Sequence, residues 1–303
     1  MKEDKYRSDA VLQNLHAMGY KATIVSIENI IEVKRNFNEL VLNNIIDKEF
    51  YKKELSNFFK FMPDSASSIL IIAFPSFITN VYFKVRGKNI KTIIPPTYIH
   101  KTSTKNIINI LNKKVGLNNY MAIKNNLPLK YLAVKSGLGK YGKNNICYVE
   151  GMGSYLRLAG FFLRDKAQAD TWKDFTMLER CDTCTNCIKI CPTKAITEDR
   201  FIIRAERCLT YFNEDEKDFP SWIKKEWHNS LVGCIKCQKV CPENKDFNYR
   251  IEADYQFDEF ETENILKHKS AEGLDKNTIK KISKIGFENE IFILSRNLGS
   301  FVE

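Results

Sequence analysis

The chain has 303 residues, of which 44% are hydrophobic and 28% charged, and its formal net charge is +10. This composition is ordinary for a globular protein and leaves no low-complexity tract. The longest apolar run, residues 69–74, is too short to cross a bilayer, and the charged first residues exclude a secretory signal. We therefore expect a cytoplasmic protein without membrane contact, whose nine cysteines bind metal or serve redox chemistry.

The positive charge is concentrated in one stretch. Residues 65–149 contain 13 lysines and arginines but no aspartate or glutamate, and the rest of the chain has a net charge of −3. Such a one-signed segment favours anionic ligands such as phosphates, nucleic acid or a phosphate-bearing cofactor. The alternative is a solvated basic surface without a ligand.

The first part of the chain is predicted to be largely helical. Leu12, Leu15 and Met18 share one helical face, and a glycine follows them. Residues 21–27 alternate like a strand, and residues 37–61 have the pattern of one long amphipathic helix. The apolar run at 67–77 predicts a buried strand that Pro75 ends.

The second part of the chain, from residue 81 onward, is predicted to combine strands and helices. Residues 81–98 predict a hairpin with Gly87 in its turn, and 103–116 predict a capped helix. A helix in "PLKYLAVKSG" and strands in "ICYV" and "LRLAGFFL" complete a mixed α/β domain at 1–175. Residues 176–250 are predicted to be short helices held by their ligands, and 251–303 a tail that is acidic and then helical. The predicted fold class is α+β.

The densest motif is "RCDTCTNCIKICPTKAI" at 180–196, spaced C-x2-C-x2-C-x3-C-P, and an interrupted version ends in "GCIKCQKVCPEN". Two-residue gaps let one loop reach three corners of an iron–sulfur cubane. The proline marks the two-cluster pattern, in which the fourth cysteine binds the other cluster. The spacing predicts two [4Fe–4S] clusters, held by a first cysteine set (Cys181, Cys184, Cys187 and Cys241) and a second cysteine set (Cys191, Cys208, Cys234 and Cys237).

Zinc is the alternative metal. Zinc sites favour two separated pairs of ligands, often mixed with histidine, and would leave the third cysteine of each run unexplained. The ninth cysteine, Cys147, lies in an apolar strand pattern and is predicted to be a small buried side chain.

The stretch "GLGKYGKN" at 137–144 matches two nucleotide-binding patterns incompletely. A dinucleotide fingerprint must follow a strand and open a helix, whereas here the predicted order is reversed. A P-loop needs Ser or Thr where Asn144 stands. Glycines and lysines can nevertheless bring donors close to an anion, which makes these residues a predicted cofactor-binding segment: Gly137, Gly139, Lys140, Gly142, Lys143 and Asn144.

The order of "PLKYLAVKSGLGKYGKNNICYVEGMGSYLRLAGFFL", "CDTCTNCIKICPTKAI", "AERCLTYFNE" and "GCIKCQKVCPEN" resembles the epoxyqueuosine reductase family, over roughly residues 65–245. The resemblance implies a nitroreductase-like α/β domain joined to a bacterial-ferredoxin-like double [4Fe–4S] domain, a plan shared with reductive dehalogenases. It also implies base-off cobalamin between the α/β domain and the nearer cluster, with residues 137–144 among its contacts. The implied reaction removes an epoxide oxygen from a modified base in a tRNA anticodon loop.

One departure concerns the proton donor that the resemblance implies. The family has an aspartate shortly before the glycine-rich stretch, whereas this chain has Asn125 or Ile123 near that position. Asparagine cannot act as a general acid. Tyr120, Tyr131 or a lysine could substitute, but no catalytic residue is assigned. The C-terminal helical repeats that many members use on tRNA are at most abbreviated, and these departures favour a paralogue.

We therefore expect an electron-relay reductase. An external donor of the flavodoxin or ferredoxin type would reduce the clusters, and these would reduce a corrinoid or a substrate in the α/β domain. Three alternatives stay open: an epoxyqueuosine reductase proper, a non-catalytic electron carrier for a partner enzyme, and an RNA-binding protein with structural clusters. The expected macromolecular ligand is tRNA or another polyanion.

Overall fold

The structure is a computed structural model that describes residues 2–98, 101–113, 120–122, 127–167, 169–247 and 250–302. Its α-helices are α1 (Lys2–Ala17), α2 (Asn29–Leu42), α3 (Lys48–Phe50), α4 (Lys101–Lys113), α5 (Leu129–Lys135), α6 (Asn186–Ile190), α7 (Leu209–Glu214), α8 (Lys236–Lys239), α9 (Glu259–Lys267), α10 (Lys276–Lys284) and α11 (Ile291–Val302), and a π-helix at Tyr51–Leu55 continues α3. Its strands are β1 (Lys21–Ser26), β2 (Ser68–Pro75), β3 (Ile78–Val85), β4 (Lys88–Ile94), β5 (Tyr120–Ala122), β6 (Lys140–Tyr141), β7 (Cys147–Tyr148), β8 (Leu156–Leu163) and β9 (Ile251–Phe257).

The contacts divide the chain into two compact units that interleave along the sequence. Unit 1 comprises Met1–Pro75, Ser103–Thr185 and Ile196–Ala205. Unit 2 comprises Ser76–Thr102, Asn186–Ala195 and Glu206–Glu303. The predicted domains at 1–175, 176–250 and 251–303 are instead consecutive. None of the helices in the described ranges is both long enough and apolar enough to span a membrane.

Unit 1 is built on an antiparallel four-stranded sheet with the order β1-β2-β8-β5. Its central strand β2 is buried along nearly its whole length because helices cover both faces. Val33 of α2 and Leu132 of α5 pack on one face, whereas Leu15 of α1 and Leu111 of α4 pack on the other. A strand buried on both faces reads as a continuous apolar run, which confirms the prediction for 67–77.

Unit 2 is built on a three-stranded sheet with the order β4-β3-β9. Strands β3 and β4 form the predicted hairpin, with Gly87 in its turn at a φ of 74°. Strand β9 pairs with β3 in parallel, and the rings of Phe83 and Phe257 stack with centroids 4.9 Å apart. Helices α9, α10 and α11 contribute Ile265, Ile282 and Leu294 to the same core.

One helix and one strand differ clearly from the sequence-based prediction, and the short strands β5 and β6 were not predicted either. The single helix predicted at 37–61 is wrong: α2 ends at Leu42, Asn44 takes a φ of 55°, and Asp47 caps α3 by accepting a hydrogen bond from the Phe50 amide. Asparagine tolerates this left-handed backbone and aspartate competes for backbone donors, so both favour a break. Strand β9 was not predicted, although its alternation of apolar and polar residues is typical of a strand. From Glu259 onward the tail is helical, as expected.

Candidate iron–sulfur centres

The nine cysteines all lie in the described residues, and no disulfide joins any two of them. Of the eight predicted ligands, Cys181 and Cys184 lie in unit 1 and the other six lie in unit 2. Cys187 lies on α6 and Cys237 on α8, two helices that pack against each other. A hydrogen bond reinforces this packing, because the side chain of Asn186 donates from Nδ2 to the Val240 carbonyl at 3.3 Å. The two cysteine-bearing helices of unit 2 are therefore neighbours.

Three members of the second cysteine set lie close enough to interact electrostatically. Burial raises the pKa of the Cys208 thiol to about 11, and Cys234 and Cys191 raise this pKa as well. Burial also raises the pKa of Cys234, to which Cys191 adds in the same direction. The thiols of Cys191, Cys208 and Cys234, up to 43 positions apart in the sequence, therefore lie within electrostatic range of one another in unit 2. Metal binding there must release protons, because only thiolates bind iron.

Hydrogen-bond donors surround these sulfurs. Asn229 donates from Nδ2 to Sγ of Cys234 at 3.2 Å, and the backbone N–H of Lys236 donates to the same thiol. Thr210 donates to Cys208 from its backbone and its hydroxyl, and the hydroxyl of Thr193 lies 3.7 Å from Sγ of Cys191. Donors directed at thiolates are what an iron–sulfur cluster requires of its protein, so this donor set fits a cubane.

The sequence did not single out Asn229, Thr193 or Thr210. Each is close to a motif cysteine in the sequence, but the motif says nothing about where a neighbouring side chain points. In the described residues, no group of three or more His, Cys, Asp or Glu side chains is arranged to hold a single metal ion. The cysteine sulfurs that bind the four irons of a cubane stand farther apart than the ligands of a single metal ion, so a cubane site does not have this close grouping.

The loop that carries Cys181 and Cys184 is held by the hairpin of β6 and β7. The backbone carbonyl of Tyr141 in β6 accepts a hydrogen bond from the Leu178 amide at 2.9 Å. The Cys181 amide in turn donates to the Leu178 carbonyl, also at 2.9 Å. Lys143 donates from Nζ to the carbonyl of Cys184 at 3.3 Å. The glycine–lysine segment thus supports the first two cysteines of the motif.

The glycines at 137–144 are packed against their own chain. A Cβ on Gly139 would lie 2.7 Å from Sγ of Cys147, and one on Gly142 would lie 2.7 Å from Oδ1 of Asn144. The backbone N–H groups of Gly137, Gly139 and Gly142 donate to carbonyls of the chain at 3.0–3.1 Å. These three donors are used internally and are not available to an anion, and cofactor binding by the rest of the segment stays a prediction.

The other predicted side chains of that segment also have partners. Lys140 lies 3.3 Å from a carboxylate oxygen of Glu179, a pair exposed to solvent. Asn144 is buried and donates from Nδ2 to the Tyr148 hydroxyl at 3.0 Å, while its Oδ1 accepts from the Ile146 amide. The segment follows α5 and forms a hairpin, which agrees with neither nucleotide-binding pattern.

The predicted position of the missing acid, Asn125 or Ile123, lies outside the described residues, as does the side chain of Tyr120. Tyr131 is buried, and its hydroxyl accepts a hydrogen bond from Asn36 Nδ2 at 2.7 Å. Burial raises the pKa of Tyr131, so it stays protonated at neutral pH. No contact of Tyr131 assigns it a catalytic role.

Helix α11 fastens the loop that leads into Cys234. Asn297, which is fully buried, donates from Nδ2 to the carbonyls of Leu231 and Asn213 at 2.7 and 2.9 Å. Asn213 in turn donates to the carbonyl of Gly233 at 2.6 Å. One C-terminal side chain therefore fixes both the loop before Cys234 and helix α7, which Cys208 precedes.

Replacing Asn297 with alanine should lower the free energy of unfolding by about 2 kcal/mol, because two buried carbonyls lose their donor. The loosened loop should also bind less iron. Urea unfolding and iron content of anoxically purified protein measure both effects. Asn289→Ala is the control, since Asn289 is exposed just before α11. Equal stability of the two variants would contradict the anchoring role.

A family model described as a 4Fe-4S double cluster binding domain matches residues 180–244. Proteins named epoxyqueuosine reductase are similar in sequence. The one from Atelocyanobacterium thalassa is 35% identical over 39% of this chain and 38% of its own length. The one from Cyclobacterium marinum is 28% identical over 62% of this chain and 58% of its own length. The one from Cellulophaga algicola is 25% identical over 81% of each chain. The match confirms the predicted double [4Fe–4S] domain.

Solved structures agree with the fold. Epoxyqueuosine reductase from Streptococcus thermophilus has a TM-score of 0.66 and 19% identity, over 95% of this chain and 78% of that one. The Bacillus subtilis structure, with an aspartate-bearing catalytic loop swung out of the active site, has a TM-score of 0.69 and 17% identity, over 97% and 80%. The chain spans 38% and 58% of the length of the first two curated relatives above.

Proposed function

Because this chain is a homologue of the epoxyqueuosine reductases, we propose that it is an iron–sulfur oxidoreductase that relays electrons through two [4Fe–4S] clusters to an acceptor. The observation that carries the proposal is that Cys191, Cys208 and Cys234 lie within electrostatic range of one another, with Asn229 donating a hydrogen bond to Sγ of Cys234. The first cysteine set holds the other cluster in this proposal. A donor of the flavodoxin or ferredoxin type supplies single electrons, and the fold tunes the cluster potentials.

The acceptor is a corrinoid or a substrate bound by the α/β domain. In this proposal the α/β domain has a nitroreductase-like architecture. The corrinoid is supported by the family resemblance. The backbone N–H groups of Gly137, Gly139 and Gly142 donate within the chain, so these three groups offer no hydrogen bond to a corrinoid. A cobalamin titration followed by its visible spectrum decides between the two acceptors.

The proposed substrate is tRNA that carries epoxyqueuosine. A related epoxyqueuosine reductase has been crystallised with an epoxyqueuosine-modified tRNA-Tyr stem loop; its chain has a TM-score of 0.61 to this one. In unit 2 the hairpin of β3 and β4 presents Lys84, Lys88 and Lys91 as exposed side chains within the acid-free stretch. Lysines that neutralise phosphates make affinity fall steeply with salt, which is the expected signature of RNA binding here.

The direct test supplies anoxically purified, reduced protein with cobalamin and epoxyqueuosine-containing tRNA. We expect queuosine to accumulate in the digested tRNA, as measured by mass spectrometry, and a Cys234→Ala variant to form none. Fully reduced clusters together with no queuosine would contradict the assigned substrate.

A specific observation favours a second function, that of an electron carrier for a partner enzyme. The acid-free stretch offers no aspartate or glutamate before the glycine-rich segment, where the family resemblance expects a proton donor. An electron carrier needs no proton donor. If reduced protein passes electrons to an acceptor protein but neither binds cobalamin nor converts tRNA, the carrier is the correct function.

A further inference from the structure

Asn229 lies at the start of the loop that leads into α8 and makes three hydrogen bonds there. Its Oδ1 accepts from the Ile235 amide at 2.9 Å, and its Nδ2 donates to the Trp227 carbonyl at 3.0 Å and to Sγ of Cys234 at 3.2 Å. The backbone N–H of Ile235 can only donate, so the amide oxygen must face it and the amide nitrogen must face the sulfur. The orientation of the side chain is therefore fixed by its neighbours.

The direction of this amide has an electrostatic consequence. Reduction of a cubane adds one negative charge, part of which resides on the cysteine sulfurs. A donor N–H pointing at one of these sulfurs stabilises the reduced form more than the oxidised form, and hydrogen bonds to sulfur are one of the main determinants of cluster potential. An amide whose other bonds hold it in place exerts this effect without reorganising.

We propose that Asn229 sets the reduction potential of the cluster bound by the second cysteine set, through its hydrogen bond to Cys234. The inference rests on the proposed function, because it requires a cluster at these cysteines. Asn229 is a positioning residue: the step is the transfer of one electron from an external one-electron donor to the oxidised cluster. No bond to Asn229 forms or breaks, and no proton leaves it.

Two variants separate the electrostatic role from loop support. Asn229→Asp keeps an oxygen that can accept from the Ile235 amide but replaces the donor with a negative charge. Asn229→Ala removes all three bonds. The matched control is Asn145→Ala, since Asn145 also accepts from a backbone amide, that of Ile203, and donates to the Phe201 carbonyl rather than to a sulfur.

The experiment is a redox titration of anoxically purified protein, followed by electron paramagnetic resonance after its iron content is measured. A Cys208→Ser variant identifies which paramagnetic resonance signal comes from the cluster of the second cysteine set. We expect both Asn229 variants to keep their iron. At the midpoint potential of the natural protein, they should show at least a tenfold lower ratio of reduced to oxidised cluster, which corresponds to about 59 mV for one electron. Asn145→Ala should leave this ratio unchanged.

Several outcomes would overturn the inference. Unchanged potentials in both variants would do so, and so would an equal shift in the Asn145 control. Loss of iron from both variants would show that Asn229 supports the loop and does not tune the potential. Natural protein that binds no iron would instead refute the proposed function, so the two failures are distinguishable.

Discussion

Replacing Cys208 with alanine should reduce the iron content from about eight to about four atoms per chain, because only the cubane of the second cysteine set loses a ligand. Cys208 lies close enough to Cys234 and Cys191 to interact with them electrostatically, although Cys191, the nearer in sequence, is 17 positions away. Iron and acid-labile sulfide measured after anoxic purification give the result directly.

Cys147→Ala is the matched control for that experiment. Cys147 is buried in unit 1, and burial raises the pKa of its thiol to about 12, so it remains a neutral apolar side chain. Its removal should leave all the iron in place. If both variants lose iron equally, or if Cys208→Ala loses none, then the assignment of Cys208 as a ligand is wrong.

Replacing Glu32 with alanine should lower the free energy of unfolding by about 3 kcal/mol, since it leaves a buried ammonium without its main partner. Lys135 is only 4% exposed, and its Nζ lies 2.7 Å from Oε1 of Glu32. Oε2 of Glu32 accepts from the indole N–H of Trp172 at 2.8 Å. The Lys135 ammonium also lies 5.4 and 5.6 Å from the ring centroids of Trp172 and Phe175. The variant would therefore release the segment around Trp172.

The pH dependence of this effect has a definite sign. The hydrogen bond from Lys135 is the largest cause that holds the pKa of Glu32 below its ordinary value of 4.5. The ionised carboxylate therefore stabilises the fold above pH 4.5, and this contribution is lost as the pH falls through the lowered pKa. Urea unfolding should show the difference between natural and variant protein shrinking below pH 4.5. Glu39→Ala, an exposed glutamate on α2, should cost little at any pH; a loss equal to that of Glu32→Ala would contradict the buried pair.

The cysteine motif was predictable because its information is local. The gaps between Cys181, Cys184 and Cys187 determine which chemistry they can perform, whatever surrounds them. The role of Cys208 was predicted because Cys234, Cys237 and Cys191 supply only three of the four ligands that the second cluster needs. By contrast, the bond from Asn229 to Cys234 depends on the course of a loop and on the competition for the Ile235 amide. No spacing rule encodes such a contact.

The fold shows the same division. The buried strand β2 and the hairpin of β3 and β4 were predicted from apolar runs and turn residues. Strand β9 was not, because a strand is defined by its partner, and β3 lies about 170 residues earlier in the sequence. The helix predicted at 37–61 failed because Asn44 and Asp47 break it locally.

The glycine-rich segment shows why a pattern is weaker than a packing environment. Three glycines and two lysines suggested an anion site, yet Gly139 and Gly142 each have a close neighbour within the chain that leaves no room for a Cβ. Lys143 contacts the loop of Cys184. Its role in supporting that loop could not be read from the sequence, because it depends on how two distant segments of unit 1 meet.

The most direct measurement is the iron, sulfide and zinc content of protein purified without oxygen, combined with its Mössbauer spectrum. Two cubanes require about eight iron and eight sulfide per chain, together with the spectrum of [4Fe–4S] centres. Stoichiometric zinc with little iron, or a total near four iron atoms in the natural chain, would contradict the electron relay.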